Sequence, residues 1–518
     1  MDQKQIEEVR NMLRPKKDES YDTTHALVPS DSVANPTSND PSSLNTRPDD
    51  LDALIEKQFG AMLHTDDAEL QRTASGRPKK RKWSQRTFSR MEKGSLRGSI
   101  FTLINTAMGL GMLAMPQCVG QIGILLSVVF FFCTAMIVEW SLDALNYCSH
   151  ALGGSQSYAD AVRRLMGKRF AVFFACFLIE SIIFSTVALV VASGGFVLGS
   201  LRTFSPAVNA WAKAHEWGAG ALTRFLLCVI TSWLSYFKDL TSLRYITVLG
   251  FGLLLYLIVV LVVQTPEYMA HHDDPSIFEP VQLISFPNDK EGWIQVLLAF
   301  LKFVFAYNCH IPTINVRAEL NDLTFRRMKK VTRRSVLIMA ASYVVICTAG
   351  ILSVGALAPP LIFQRPKLDP NSRDVLMQVG LFLFAFYMML RVPQRLMVSR
   401  QCMIAFVKGP KQPAGRSLHL TMTTVNVVSV TFLSVFFTDI GSLINLISSF
   451  NGVFVIVTVP GLLLHYAMPW KACKTAVEKS VYLFNIFVTM FCTVCGVIGT
   501  GISIAAFFKK DDGTLSFF

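Results

Sequence analysis

The sequence predicts an all-α polytopic membrane protein, and its composition and apolar pattern are the observations that predict it. Hydrophobic residues make up 52% of the 518 residues, charged residues make up 16%, and the mean hydropathy is +0.41. The apolar residues lie in blocks of about 20 residues, which is the length that crosses a bilayer core as a helix. Short charged loops separate these blocks.

Eleven transmembrane helices are therefore predicted, called spans 1 to 11 in chain order. Their predicted bounds are Ser95 to Gln117, Gly123 to Tyr147, Phe170 to Leu201, Gly220 to Phe237, Tyr245 to Thr265, Trp293 to Leu320, Ser335 to Leu357, Val375 to Val398, Leu418 to Phe437, Gly441 to Tyr466 and Val481 to Phe508. They form a membrane domain over residues 95–508, between an N-terminal tail (1–94) and a short non-cytosolic C-terminal tail (509–518).

The N-terminal tail is rich in Asp, Ser, Thr, Pro and Lys and has no apolar run that could act as a signal peptide. It is predicted to be cytosolic and disordered. Its basic cluster at 77–82 lies just before span 1, where positive charge sets orientation and can contact anionic lipid; a nuclear signal is the alternative. The net charge of +13 lies mainly in loops predicted to face the cytosol, so no nucleic-acid partner is expected. The sequence does not identify a protein partner for the tail.

The charges of the loops predict a cytosolic N-terminus. The loop from Pro266 to Glu291 is acidic and is assigned to the outside. The basic residues assigned to the inside are Arg163, Arg164, Lys168, Arg169, Arg326, Arg327, Lys329, Lys330, Arg333, Arg334, Arg395, Arg400, Lys408, Lys411, Arg416, Lys471, Lys474 and Lys479. This assignment satisfies the positive-inside rule in every loop.

Spans 1 and 6 carry residues that interrupt helices. Span 1 has Gly109 and Gly111 near its centre, and span 6 has the interruption Asn308 to Pro312. Two broken helices at matching places in successive five-helix halves are typical of the substrate site of a secondary transporter built as an inverted repeat. The alternative is that the glycines only permit close packing and that the proline only kinks its helix.

Broken helices offer backbone groups to a bound molecule. Amides at a half-helix N-terminus suit a carboxylate, and carbonyls at the opposing end suit an ammonium group or a cation; an α-amino acid carries both charges. The residues predicted to contact it are Asn105, Met108, Gly109, Leu110 and Gly111 of span 1, Ser181 and Ser185 of span 3, and Tyr307, Asn308 and His310 of span 6. The imidazole of His310 can also exchange a proton near neutral pH, or it can simply stabilise the broken turn.

Four stretches carry a resemblance to a known family. They are NTAMGLGMLAMP at 105–116, SYADAVRRLMG at 157–167, FVFAYNCHIPTINVRAEL at 303–320 with the following FRRMKK, and NLISSFNGVFVIVTVPGLLLHY at 445–466. They resemble the amino acid/auxin permease family, and most closely its sodium-coupled neutral amino-acid transporter branch. The resemblance implies a LeuT-like fold, a 5+5 inverted repeat plus one helix, with alternating access for amino acids. It also implies that Asn105 helps bind sodium and that Gly109 and Gly111 form a substrate-binding turn.

Span 8 departs from the family pattern. Between Asp374 and Val398 it has no Ser or Thr, and Phe386 or Tyr387 stands where the family has a threonine that helps bind the cation. Span 8 instead carries Arg391, and span 3 carries Glu180 near mid-membrane; such charges usually face the interior of the bundle. One hypothesis is that Glu180 titrates or meets a cationic substrate, while Arg391 replaces sodium as a fixed positive charge. The alternative is that Arg391 extends to the cytosolic surface and Glu180 hydrogen-bonds within the core.

The sequence therefore predicts a transporter of neutral or cationic L-amino acids that is proton-coupled or uncoupled. A sodium-coupled symporter and an amino-acid sensor with the same fold are the alternatives. The protein is expected in the plasma membrane or in a lysosome- or vacuole-type endomembrane. No phosphate-binding glycine loop, metal-ligand spacing or nucleophile elbow is present in the sequence. Neither enzymatic activity nor a cofactor or metal is expected, beyond a proton or sodium gradient.

Overall fold

The computed structural model describes residues 94–154, 157–237, 244–283, 289–321, 323–368, 374–408, 415–437, 439–473, 475–508, 510–511 and 514–515. These residues are almost entirely helical, and the two short strands Lys510–Asp511 and Thr514–Leu515 pair antiparallel. The predicted N-terminal tail, including the basic cluster at 77–82, lies outside the described residues except for Gly94.

The predicted architecture of eleven spans is confirmed. The helices are Leu96–Ala107, Leu110–Leu113 and Met115–Ile122 in span 1, Ile124–Ala151 in span 2, Tyr158–Phe204 in span 3, Glu216–Ser232 with the 3₁₀ turn Trp233–Tyr236 in span 4, Arg244–Met269 in span 5, Lys290–Ala306 and His310–Glu319 in span 6, Phe325–Val354 in span 7, Val375–Lys408 in span 8, Arg416–Phe436 in span 9, Ile440–Ile447, the π-helical turns Ser448–Gly452 and Phe454–Thr458, and Val459–Ala467 in span 10, and Ala476–Phe508 in span 11. Pro206–Ala214 forms a further helix, and Ile362–Gln364 and Trp470–Ala472 form 3₁₀ turns. Among the described residues, ten helices are long and apolar enough to cross a membrane, and the bent pair of span 1 makes an eleventh.

The segment before span 3 is also helical, which the sequence did not predict, and the span itself begins after Gly167, within a few residues of the predicted Phe170. The hydroxyl of Ser157 caps this segment by accepting a hydrogen bond from the amide of Asp160 at 3.2 Å. Gly167, at φ 86°, then bends the chain into the span, and a residue with a side chain would be strained at that angle. A glycine bend therefore joins the segment to span 3 where a loop was predicted.

The predicted end of span 8 is wrong, because the helix continues through residues 398–408. Arg400 and Lys408, which were assigned to an inward loop, therefore lie inside the helix, as does Arg395, which the predicted bounds of the span already contained. Arg400 is 3% exposed and donates hydrogen bonds to the carbonyl of Ser235 at 2.8 Å and to the hydroxyl of Thr423 at 3.1 Å. Since these polar partners satisfy the guanidinium within the bundle, the charge does not end the helix.

Spans 1 and 6 are both broken. Span 1 loses helical backbone angles at Met108 and Gly109, and its two parts meet at an angle of 57°. Span 6 breaks over 307–309 and resumes at His310. Pro312 was predicted to lie in the interruption, but it occupies the first turn of the second half, where its missing N–H removes no helical hydrogen bond. The chain therefore breaks before the proline.

The two breaks lie against each other at the centre of the bundle. A Cβ atom added at Gly111 would lie 2.8 Å from the Cα atom of Ala306, the last helical residue before the break of span 6. In span 10, a Cβ atom added at Gly452 would lie 3.2 Å from the side chain of Phe305. Spans 3 and 8 pack along each other beside this centre. Spans 1, 3, 6, 8 and 10 thus surround the place where both helices are interrupted.

Candidate substrate site

A cavity of about 290 Å³ lies between the two breaks. This volume is close to the lower end of the range for small-molecule sites, about 300 Å³, so the cavity suits one small ligand. Its wall is formed by Thr106, Ala107, Gly109, Leu110 and Gly111 of span 1, Ser181, Ile182, Ser185, Ala188 and Leu189 of span 3, Phe305, Asn308, Ile311, Pro312 and Asn315 of span 6, Arg391, Gln394, Arg395 and Val398 of span 8, and Ile444 and Ile447 of span 10.

The structure brings six of the predicted contact residues to the cavity wall. They are Gly109, Leu110, Gly111, Ser181, Ser185 and Asn308. The other four are Asn105, Met108, Tyr307 and His310, which are 9%, 3%, 0% and 0% exposed and are not part of the wall. A direct contact between these four residues and a substrate stays a prediction, and the structure gives at least three of them other partners.

His310 contacts span 2. Its Nε2 atom lies 2.7 Å from the hydroxyl of Ser141, and that hydroxyl donates to the carbonyl of Val138 at 3.0 Å. The serine hydroxyl and the imidazole are therefore hydrogen-bonded, and the tautomer of the ring decides which of the two donates. The imidazole therefore fixes the second half of span 6 to span 2.

Tyr307 packs inside the protein beside Tyr343 of span 7. The two ring centroids are 5.0 Å apart, and the hydroxyl of Tyr343 donates to the carbonyl of Ala306 at 2.7 Å. That carbonyl belongs to the last residue before the break of span 6. A tyrosine of span 7 therefore satisfies one of the backbone groups that the break releases.

Tyr387 is the residue of span 8 that reaches span 1. It is 5% exposed, whereas Phe386 is 54% exposed and faces outward. The hydroxyl of Tyr387 donates to the side-chain oxygen of Asn105 at 3.2 Å. A Cβ atom added at Gly250 of span 5 would lie 1.8 Å from the Tyr387 ring, so the glycine leaves the space that the ring fills. The structure thus shows that Tyr387, and not Phe386, is the aromatic residue that contacts span 1.

Arg391 reaches the carbonyl end of the first half of span 1. Its Nη2 atom donates to the carbonyl of Asn105 at 3.4 Å, and its guanidinium carbon lies 5.8 Å from the centroid of the Tyr387 ring. The carbonyl end of a helix carries partial negative charge, so a cation is favourable there. The guanidinium therefore contacts span 1, and a role as a fixed positive charge stays a prediction.

Glu180 faces span 10. One carboxylate oxygen accepts a hydrogen bond from the side-chain amide of Asn451 at 3.5 Å. Glu180 does not line the cavity, and no ion pair joins it to Arg391 among the described residues. Hydrogen bonding within the core, the alternative raised for this residue, is the arrangement found. A role in coupling stays a prediction.

Sequence reasoning missed several polar residues of the centre. Arg395 was assigned to the inward side and Gln394 was not considered, although both lie within the predicted bounds of span 8; Asn315 was overlooked because it follows the interruption of span 6. Lys302 of span 6 is 4% exposed and donates to the side-chain oxygen of Gln117 in span 1 at 3.4 Å. Helical spacing was an available signal, since Arg395 lies one turn beyond Arg391 on the same face.

Two discontinuous helices around a mainly apolar cavity with a few polar side chains, within a bundle of eleven spans, define a class of membrane proteins with an internal ligand site. The sequence profile described as "Transmembrane amino acid transporter protein" matches residues 92–508. The chain belongs to this family, the amino acid/auxin permeases. The predicted family membership is thereby confirmed.

Individual relatives are distant in sequence. A provisionally named amino acid transporter, AAT1 of Toxoplasma gondii, is 25% identical over 63% of this chain and 42% of its own length. A rat protein provisionally named sodium-coupled neutral amino acid transporter 11 is 22% identical over 70% of this chain and 74% of its own length. The chain thus spans less than half the length of the Toxoplasma protein, and the match to the rat protein agrees with the predicted branch.

The fold has a counterpart among solved structures. The manganese transporter of Eremococcus coleocola, crystallised with an aromatic bis-isothiourea substituted compound, matches with a TM-score of 0.50 and 13% identity, covering 80% of this chain and 88% of that one. At this identity the likeness concerns the fold alone. It confirms the predicted LeuT-like fold.

Proposed function

We propose that this multi-pass membrane protein is a secondary transporter of L-amino acids that works by alternating access. The observation that carries the proposal is the cavity enclosed by the two broken helices, and membership of the family supports it. The substrate crosses without covalent chemistry, so the free energy comes from a gradient. The membrane in which the protein works is either the plasma membrane or a lysosome- or vacuole-type membrane.

The broken helices supply complementary groups for an α-amino acid. The helical segment that begins at Leu110 presents its first amides at the cavity, which suits the α-carboxylate. The helix that ends at Ala107 presents carbonyls there, which suits the α-ammonium group. Thr106 beside this break, Ser181 of span 3 and Asn308 of span 6 add polar side chains to the same wall.

The coupling is to protons, or the transport is uncoupled. Tyr387 and Arg391 support this part of the proposal, because they contact Asn105 from the span in which the family has a cation-binding hydroxyl. A guanidinium at the carbonyl end of a helix provides the positive charge that a sodium ion would otherwise bring. In this proposal, no sodium ion is needed to balance the carbonyls.

Uptake into proteoliposomes tests the proposed function. Purified full-length protein is reconstituted, and the accumulation of radiolabelled amino acids is measured with a proton gradient, with a sodium gradient and with neither. Uptake above that of protein-free vesicles is expected. Binding without uptake contradicts transport and favours a sensor that uses the same fold.

A further inference from the structure

Two arginines of span 8 lie on the cavity wall one helical turn apart. Arg391 donates to the carbonyl of Asn105 at 3.4 Å, and Arg395 donates to the hydroxyl of Ser185 at 2.7 Å. Ion pairs among the described residues include Arg164 with Asp160, Lys329 with Asp143, and Arg333 with Glu139, and none of these involves Arg391 or Arg395. Neither cavity arginine therefore has a carboxylate partner in the described part of the chain.

The rest of the cavity wall does not balance these charges. Its other polar side chains are neutral, namely Thr106, Ser181, Ser185, Asn308, Asn315 and Gln394, and no Asp or Glu is among the described residues that line it. The carbonyl end of span 1 partly compensates Arg391. Within the described part of the chain, the hydrogen bond found for Arg395 is to the hydroxyl of Ser185, which compensates a cation less than a carboxylate does.

We propose that the transported amino acid carries a side-chain carboxylate and that Arg395 binds it. This inference rests on the proposed function and names its substrate class. A guanidinium holds a carboxylate through two parallel hydrogen bonds, and Arg395 uses one terminal nitrogen for Ser185. In this proposal the α-carboxylate lies at Leu110 and the side-chain carboxylate lies at the part of the wall that span 8 forms. A cationic side chain would meet two positive charges and no negative one.

A substrate panel in proteoliposomes tests the substrate class. L-glutamate and L-aspartate are compared with L-alanine, L-glutamine and L-lysine at equal concentrations. Faster uptake of the two acidic amino acids is expected. Equal or faster uptake of alanine, glutamine or lysine overturns the inference but leaves the proposed function standing, whereas no uptake of any amino acid contradicts the proposed function.

Ligand binding to the wild-type protein decides the inference independently of uptake. The melting temperature of the detergent-solubilised protein is measured with increasing L-glutamate or L-alanine. A ligand that binds only the folded state raises the melting temperature with concentration. Glutamate is expected to act at the lower concentration, and the reverse order overturns the inference.

Substitutions at Arg395 test the residue. Arg395→Gln is expected to lower the transport efficiency for glutamate about 10- to 100-fold, the effect of one charge-assisted interaction, mainly through a higher KM. Arg395→Lys keeps the charge and loses the paired geometry, so a smaller loss is expected. Arg164→Gln removes the same charge from an exposed helix outside the cavity and serves as the control. An equal loss for alanine and glutamate in Arg395→Gln overturns the assignment.

An inorganic anion could supply the same negative charge. Chloride is therefore replaced by gluconate while the uptake of alanine and glutamate is followed. Uptake that is unaffected by chloride supports the side-chain carboxylate. If alanine uptake requires chloride in the wild type and loses that requirement in Arg395→Gln, a free anion is the partner and the inference is overturned.

Discussion

At the scale of single residues, the centre of this protein is held by polar side chains that reach across from neighbouring spans. Tyr387 and Arg391 both contact Asn105, one at its side chain and the other at its carbonyl. Tyr343 holds the carbonyl of Ala306, and His310 is held by Ser141. Backbone groups released by a broken helix need partners where water is scarce, and these side chains supply some of them.

Glu180 provides a prediction about pH. It is the carboxylate that the described parts of spans 1, 3, 6, 8 and 10 place away from their helix ends, and one of its oxygens is buried without a hydrogen bond. If it carries the coupled proton, Glu180→Gln should flatten the dependence of uptake on pH, because the amide cannot titrate. Initial rates across a pH series measure this. An unchanged profile would exclude Glu180 as the coupling group.

The sequence identified the charged residues inside the apolar blocks, but it did not predict which neighbours their side chains contact. An intramembrane Arg391 and Glu180 could be recognised because charges are rare in apolar blocks. Their partners could not, since one residue along a helix turns the side chain by about 100°. That turn separates Phe386, which faces outward, from Tyr387, which reaches Asn105. Only the packing of span 8 against its neighbours decides between them.

At the scale of elements, small residues allow the two interrupted helices to pack closely against each other. Glycine is required where another backbone approaches closely, and Gly111 meets this condition at Ala306. Both breaks could be located from glycine and proline. The exact residues could not, because Pro312 fits into the first turn of a helix as well as into an interruption.

Gly111→Val should abolish uptake while the protein still folds. Its Cβ atom would lie 2.8 Å from the Cα atom of Ala306, so the two breaks must move apart, at a cost of about 1–3 kcal/mol. Uptake is compared with the elution profile in gel filtration. Gly199→Val is the control, since a Cβ atom there meets nothing within 4 Å. Retained uptake in Gly111→Val would remove the glycine turn from the site.

Gly250 and Gly252 form a matched pair on span 5. A Cβ atom at Gly250 would lie 1.8 Å from the Tyr387 ring, whereas one at Gly252 meets nothing within 4 Å. Gly250→Ala should lower the free energy of unfolding by about 1–3 kcal/mol through overpacking, and Gly252→Ala should leave it unchanged or raise it by up to about 1 kcal/mol. Thermal melts measure both changes.

The cause of the Gly250→Ala effect can be tested in a variant that lacks the Tyr387 ring. Combining Gly250→Ala with Tyr387→Thr removes the ring that the new methyl group would strike, so the loss caused by the glycine substitution should largely disappear. If Gly250→Ala is as damaging with threonine at 387 as with tyrosine, the contact with the ring is not its cause.

At the scale of the whole molecule, the spans build a LeuT-like bundle with its cavity at the middle. The number of spans and the fold could be predicted, because apolar length and paired interruptions are strong signals. The predicted cytosolic N-terminus stays a prediction. Three of the basic residues used for it, Arg395, Arg400 and Lys408, lie inside the helix of span 8, whereas the loop from Pro266 to Glu291 remains acidic.

Replacement of sodium by choline should change uptake little in the intact protein. Coupling between two ligands usually alters affinity about 5- to 150-fold, so a sodium-dependent carrier would show a large loss. Initial uptake rates at saturating and at low substrate concentration distinguish effects on turnover from effects on affinity. A large loss in choline would show that the cation site survives beside Tyr387 and Arg391.

The guanidinium at the Asn105 carbonyl has a thermodynamic consequence. An ion from solution that binds at this carbonyl is released on the other side of the membrane. The decrease in its electrochemical potential drives the substrate against its own gradient. A tethered cation makes the whole round trip with the polypeptide and finishes each cycle where it began. The guanidinium can stabilise the protein without substrate, but it cannot couple transport to an ion gradient. If Arg391 takes the place of sodium as proposed, uphill accumulation must be driven by another ion that is released across the membrane.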